Sequence, residues 1–276
     1  VKLTLRNTEL DITTPVVMGV LNVTPDSFSD GGEFNHPEKA MERIHKMIEQ
    51  GASIIDIGGE STRPGSEPVS EMEEMARTER IIRNAVKRFP EVIISIDTMK
   101  AGVAQAALEA GAHLVNDVSG LQVDAHKAEL CAHFGAGLII MHSKGKPREM
   151  QKNPEYEDVV QEVHSFLKNQ AEYAASCGVK SIILDPGIGF GKTVAHNLAL
   201  IANVEIFTQM GYPVLMGASR KSLIGQILNN RGVEGRLAGT IALHYHALMK
   251  GSKIIRVHDV REAVDSIRIL NAINQH

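Results

Sequence analysis

Residues 92–117, VIISIDTMKAGVAQAALEAGAHLVND, decide how this chain folds. They hold two short apolar runs, 92–96 handing over to Asp97 and 113–115 handing over to Asn116 and Asp117, with a helix-sized interval between them. Runs this short and rich in β-branched residues suit buried strands, and the interval suits a helical crossover to a parallel neighbour. The same unit recurs on both sides. Upstream, 16–21 leads into Asn22 and 53–55 into Asp56. Downstream, 138–141 leads into His142, 181–184 into Asp185, 214–217 into Ser219, Arg220 and Lys221, and 254–255 into Arg256 and His258.

Eight strands that each deliver a polar residue to one rim predict a TIM (β/α)8 barrel, whose active site lies at the C-terminal strand ends. Strand and helix alternation also fits an open doubly wound sheet, but polar residues after every strand suit a ring better than a sheet with one switch-point crevice. Such a barrel typically needs about 250 residues, so the 276 residues of this chain predict one domain over 1–276. Residues 2–12 alternate Leu3, Leu5, Leu10 and Ile12 with polar groups, which predicts a short N-terminal β-hairpin capping the barrel floor.

Helical spacing fills the intervals. Met41, Ile44, Met47 and Ile48 share one face behind Pro37, and Gly51 ends that helix. Ser70 and Glu73 are spaced as a capping box, with Met72, Met75, Ala76, Ile82 and Val86 as the expected buried stripe. In the last helix Asp259 is the expected N-cap and Val260, Ala263, Val264, Ile267 and Leu270 the inward face.

Hydrophobic residues make up 43% and charged residues 22%, ordinary for a globular chain, and the formal net charge of −4 disfavours nucleic acid or an acidic membrane as partner. Cys131 and Cys177 lack CxxC spacing and are too few for a disulfide framework, which predicts a reducing, cytoplasmic setting. The first twelve residues lack the apolar stretch of a leader or membrane span.

The segment DPGIGFGK, 185–192, has neither the spacing of a dinucleotide fingerprint nor that of a phosphate-cradling P-loop. Its glycines instead let backbone approach a flat ligand, with Phe190 as a stacking surface and Asp185 gripping a polar edge. Asp97, Asn116 and Asp185 together offer acceptors and an amide donor suited to an aminopyrimidine ring. Each carboxylate taken alone could equally pair with a barrel Arg or Lys and serve structure only. Arg63, Arg220, Lys221, Arg256 and His258, with the hydroxyls of Thr62, Ser219 and Ser222, form an expected oxyanion set. Phosphate sites commonly follow strands seven and eight of such barrels, where Lys221, Arg256 and His258 fall. The long segments 22–32 and 58–68 are expected lids, and Asn22 is an oxygen ligand suited to Mg2+ shared with diphosphate oxygens and waters. His244 and His246 cannot share a helix face and are expected to be structural, while His142 stays ambiguous.

These motifs resemble dihydropteroate synthase, the folate-pathway transferase. The resemblance rests on LNVTPDSFSDGG from Leu21, DIGGESTRPG from Asp56, SIDT from Ser95, NDVSG from Asn116, MH at Met141, DPGIGFGK from Asp185, GASRKS from Gly217 and RVHDV from Arg256, in family order across nearly the whole chain. It implies transfer of a dihydropterin methylene from its pyrophosphate ester to para-aminobenzoate, with pyrophosphate released, by a homodimeric sulfonamide target. It further implies that Asp97, Asn116, Asp185 and Lys221 hold the pterin, with Met141 and Gly217 against it. Asn22 would bind magnesium; Thr62, Arg256 and His258 would hold phosphate oxygens; and Phe28, Arg63, Pro64, Phe190 and Ser222 would shape the amine pocket. The third-strand loop departs from the family pattern at Met99 and Ala101. Two rivals remain: a pterin-dependent methyl transferase, against which STRPG and SRKS count, and a catalytically silent pterin-binding protein.

Overall fold

The computed structural model describes residues 1–23, 36–61, 67–145 and 154–275. Two strands, β1 (Lys2–Leu5) and β2 (Thr8–Asp11), pair antiparallel as a hairpin. Eight parallel strands follow: β3 (Val16–Asn22), β4 (Ile54–Gly58), β5 (Ile93–Asp97), β6 (Leu114–Asp117), β7 (Gly137–Met141), β8 (Ile182–Asp185), β9 (Leu215–Met216) and β10 (Ile254–Val257). Their order, β8-β7-β6-β5-β4-β3-β10-β9, closes into a ring through a parallel bridge between Leu184 and Val214. The expected barrel and hairpin are both present.

Among the described residues ten α-helices connect and cover these strands: α1 (His36–Glu49), α2 (Glu71–Arg88), α3 (Ala101–Glu109), α4 (His126–Phe134), α5 (Val159–Ser176), α6 (Val194–Ala202), α7 (Val204–Thr208), α8 (Ser222–Ile227), α9 (Leu237–Met249) and α10 (Val260–Ile273). Among the described residues no helix is long and apolar enough to cross a membrane.

Strand side chains alternate between two apolar clusters, as a period of two requires. Val17, Ile55, Ile94, Val115, Leu138, Ile182, Met216 and Ile255 face outward onto the helices. Met18, Ile54, Ile93, Leu114, Ile139, Ile183, Leu215 and Ile254 face inward and form a closed layer with Leu3, Leu5 and Ile12 of the hairpin. Leu5 and Ile12 are fully buried there, and each such side chain contributes about 1.5–3 kcal/mol by leaving water. Hydrogen bonds lock this floor: Ser181 Oγ donates to Thr4 O at 2.8 Å, and Arg6 Nη1 donates to Leu108 O at 2.5 Å. One step up, the inward position turns polar in β4, β5, β6, β8 and β10, at Asp56, Ser95, Asn116, Asp185 and Arg256. That change builds the site.

The helical expectations hold for α1 and α10, whose inward faces carry Met41, Ile44 and Met47, and Val260, Ala263, Ile267 and Leu270. In α2 the expected stripe holds in part: Ile82 is buried, and Met75 and Val86 pack partly buried against the core. Met72 is 83% exposed and Ala76 is exposed, while Glu74, Thr78, Ile81, Ile82 and Ala85 are buried. The helix rolls because Glu74 and Glu60 share the Lys100 ammonium, an ionic contact that apolar periodicity does not report. Ser70 caps α2 as expected, its hydroxyl accepting from Glu73 N at 3.3 Å. Asp259 precedes α10 but makes no cap bond; its carboxylate takes Arg220 instead, through Nε at 2.9 Å and Nη2 at 2.5 Å.

Candidate active site at the barrel mouth

Counting upward in steps of two from the apolar floor places Asp56, Ser95, Asn116, Met141, Asp185, Gly217 and Arg256 inside the barrel, with Asn22, Gly58, Asp97 and His258 in the row above. Register links the rim: Asn22 pairs with Gly58, Gly58 with Asp97, and Asp97 with Asn116. Asp56, Asp97, Asn116, Met141 and Asp185 are all buried.

Arg256 reaches across this cup. Its Nε donates to Asp56 Oδ2 at 2.7 Å and its Nη2 to Asp97 Oδ2 at 2.6 Å. The structural partner anticipated for a barrel carboxylate therefore exists for Asp97, and Arg256, expected among phosphate oxygens, is held in this structure by carboxylates. Burial works against the guanidinium, but Asp56 and Asp97 outweigh it and hold its pKa above the ordinary value. Burial also pushes Asp97 up to about 7; Arg256 opposes that rise and the neighbouring Asp56 adds to it. Among the described residues, Asp97 Oδ1, Asp56 Oδ1 and Ser95 Oγ are buried without hydrogen-bond partners. Three unspent polar atoms around one cup are a costly arrangement that a ligand rich in N–H groups would relieve.

On the opposite wall Asp185 accepts from Gly187 N at 2.7 Å. Burial raises its pKa against that bond and the cations of Lys221, Arg256 and Lys192. Lys221 stands before α8 with its Nζ 3.9 Å from the centre of the Phe190 ring, a cation–π placement. Beneath the glycine segment lies Lys192, almost fully buried, donating to the carbonyls of Gly187 at 2.9 Å, Phe190 at 3.0 Å and His142 at 3.2 Å. Burial lowers its pKa to about 7. His142 Nδ1 lies 2.9 Å from the same ammonium, and burial takes His142 down to about 3, so its ring is neutral and its role is to seat Lys192. Gly187 has φ +71, and a Cβ there would sit 1.9 Å from His142 O, which makes glycine obligatory.

The basic rim divides. His258 Nδ1 lies 3.0 Å from Ser219 Oγ, so these two stand together as expected. Arg220, expected in the same anion set, turns away to Asp259, and its φ of 55 fixes that direction. His244 is structural as expected: its Nε2 accepts from Ala218 N at 3.0 Å, and burial lowers its pKa to about 4. Ser222 is exposed at the start of α8. Phe28, Thr62, Arg63 and Pro64 lie outside the described residues.

Asn22 supplies one amide oxygen at the rim, 3.7 Å from where a Gly58 Cβ would lie. Among the described residues no group of three His, Cys, Asp or Glu side chains could hold a metal. This donor set fits Mg2+ only as a single-ligand site completed by substrate oxygens and water, the way that ion is often bound.

Asp56 was not among the sequence-derived site residues, and neither was Lys192. The first had a signal: Asp56 is in phase with Ile54, so alternation alone turns it inward. The half-buried Lys100 pair with Glu60 and Glu74, and Lys127, which bonds Met99 O at 2.6 Å and faces Asp117 at 3.3 Å, had none. These last contacts settle the divergent third-strand loop, where α3 starts directly at Ala101.

The profile of the family described as pterin binding enzyme matches residues 18–258. A dihydropteroate synthase of Haemophilus influenzae is 45% identical over 273 residues, 98% of each chain. A Yersinia pestis dihydropteroate synthase solved with a sulfonamide drug complex superposes with a TM-score of 0.92 at 42% identity, covering 100% of both chains. The Thermus thermophilus enzyme in complex with 4-aminobenzoate superposes with a TM-score of 0.89 at 40% identity, covering 99% of each chain.

Proposed function

This chain belongs to the dihydropteroate synthase family, and we infer that it transfers the methylene of a dihydropterin pyrophosphate ester to para-aminobenzoate, in folate biosynthesis. The observation that carries the reading is the cup of Asp97, Asn116 and Asp185, where Asp97 Oδ1, Asp56 Oδ1 and Ser95 Oγ lack partners among the described residues, over a closed apolar floor and beside Lys221. A flat heterocycle bearing N–H groups satisfies those acceptors, and Met141 packs on its face. We assign the ester oxygens to Lys221, His258 and Ser219, on the strength of the His258–Ser219 contact and the Lys221 ammonium beside Phe190.

In the reaction the methylene carbon–oxygen bond breaks and the pyrophosphate leaves with the electron pair. The methylene cation that remains is conjugated with the pterin ring, and the buried carboxylates of Asp97 and Asp185 stabilise it. The aromatic amine then forms the carbon–nitrogen bond and loses one proton. Lys221 and His258 hold negative charge as it develops on the leaving group. Asn22 would hold magnesium, which would supply Lewis-acid neutralisation of that charge. The family resemblance assigns the amine to Phe28, Arg63, Pro64, Phe190 and Ser222, and phosphate oxygens to Thr62 and, once it leaves Asp97, to Arg256. The protein works as a cytoplasmic homodimer, and the sulfonamide complex of the Yersinia pestis relative supports reading this site as a sulfonamide target.

A coupled assay for pyrophosphate release tests the activity. Release that requires both substrates and yields dihydropteroate is expected. Binding of the pterin with no release under any condition would leave a silent pterin-binding protein.

A further inference from the structure

Asp56 sits mid-strand in β4, fully buried, and belongs to none of the roles assigned above. Its Oδ2 accepts from Asn116 Nδ2 at 2.8 Å and from Arg256 Nε at 2.7 Å, so one carboxylate oxygen joins two side chains that lie 60 and 200 residues away. A carboxylate only accepts, so the Asn116 amide must turn its nitrogen toward Asp56 and its oxygen away from it. An asparagine without such a partner could present either end to a ligand at little cost. Arg256 is fixed the same way: Nε is tied to Asp56, and Nη2 is left to face Asp97.

We propose that Asp56 is the positioning residue of the pterin pocket: it sets which edge of the Asn116 amide meets the heterocycle and anchors Arg256 by Nε while its outer nitrogens change partner. The assignment rests on the reading of this site as a pterin pyrophosphate site. It separates two uses of one carboxylate. As mere charge compensation for Arg256, Asp56 would serve stability and leave kinetics alone. As a positioning group it also sets the affinity for the pterin and leaves the amine untouched.

Asp56→Asn in the full chain, with the same shape and no charge, distinguishes these uses. Losing the aligned charged bonds is expected to lower kcat/KM for the pterin pyrophosphate by about tenfold to a hundredfold. KM for para-aminobenzoate is expected to stay within about twofold. Asn116→Ala is expected to cost as much, and the double variant to fall little further, because both remove the same contact. Full retention of kcat/KM by Asp56→Asn with only a lowered Tm, or fully additive losses in the double variant, overturns the proposal.

One measurement needs no folded variant at position 56. The wild-type Asn116 side-chain amide, identified by loss of its resonances in Asn116→Ala, is expected to show one proton that exchanges slowly with water. Fast exchange of both protons overturns the proposal. A wild-type protein that releases no pyrophosphate would sink the enzymatic reading, and the amide measurement would still decide the placement of Asn116.

Discussion

Gly187→Ala puts the glycine segment to the most direct test. A Cβ at this position would lie 1.9 Å from His142 O, well inside the roughly 3.3 Å at which carbon and oxygen ordinarily meet. The backbone must therefore move by more than a side-chain adjustment allows. Two bonds to charged groups sit on the residue that moves, Gly187 N to Asp185 Oδ1 at 2.7 Å and Lys192 Nζ to Gly187 O at 2.9 Å. Hydrogen bonds to charged groups contribute about 1.5–3 kcal/mol each, and alanine at positive φ adds about 1 kcal/mol. The total is about 4–7 kcal/mol if both bonds go. The part that frees Asp185 appears as a loss of about tenfold to a hundredfold in kcat/KM for the pterin substrate. The rest lowers Tm, at roughly 2–4 °C per kcal/mol for a chain of this size. Gly211→Ala is the control, since φ there is +84 but nothing lies within 4 Å of the added carbon. Thermal unfolding and pyrophosphate-release kinetics on both variants read the result. Equal behaviour of the two, with kcat/KM intact in Gly187→Ala, would refute the claim that this segment clamps Asp185.

Two further outcomes follow from the charges of the cup. Burial raises Asp97 to about 7, so the fold favours its protonated form; that contribution is whole below the ordinary carboxyl value and is lost as pH rises through about 7. Asp97→Asn removes the titration, so its Tm relative to wild type should climb between about pH 4 and 7 and flatten above, while pterin turnover falls; a Tm difference constant with pH contradicts this. Asn22→Ala, or chelation by EDTA, should raise KM for the pterin pyrophosphate and leave binding of the hydroxymethyl pterin without phosphate unchanged. Equal weakening of both ligands in calorimetric titrations would place Asn22 on the ring rather than on a metal.

The barrel was legible because each strand ends its apolar run on a polar residue, and β3 to β10 keep that order. Asp97, Asn116, Asp185 and Met141 converge as the strand ends implied. What escaped depends on partners far away in sequence. Asp56 looked like a strand end, yet β4 runs on to Gly58, so its carboxylate sits below the rim beside Arg256. Arg220 reads as part of a basic cluster with Lys221, but a positive φ and Asp259 take it elsewhere. Lys192 carries no local mark of burial, because the carbonyls that stabilise its ammonium come from the loop after the neighbouring strand β7 and from its own turn. Met72 followed helical spacing faithfully; an ion pair at Glu74 overruled it.

The same physics explains why the polar cup lies above an apolar floor rather than within it. Three carboxylates, Asp56, Asp97 and Asp185, face Arg256 and Lys221 in a space where burial raises both Asp97 and Asp185. Ionising Asp97 and Asp185 costs stability in the empty protein, and the buried atoms Asp97 Oδ1, Asp56 Oδ1 and Ser95 Oγ add to that cost. A ligand that brings N–H donors and then positive charge recovers both losses, so the strain of the empty cup becomes preference for the reacting pterin over its neutral ground state. The hairpin and the inward isoleucines below supply the rigidity that lets such an arrangement persist.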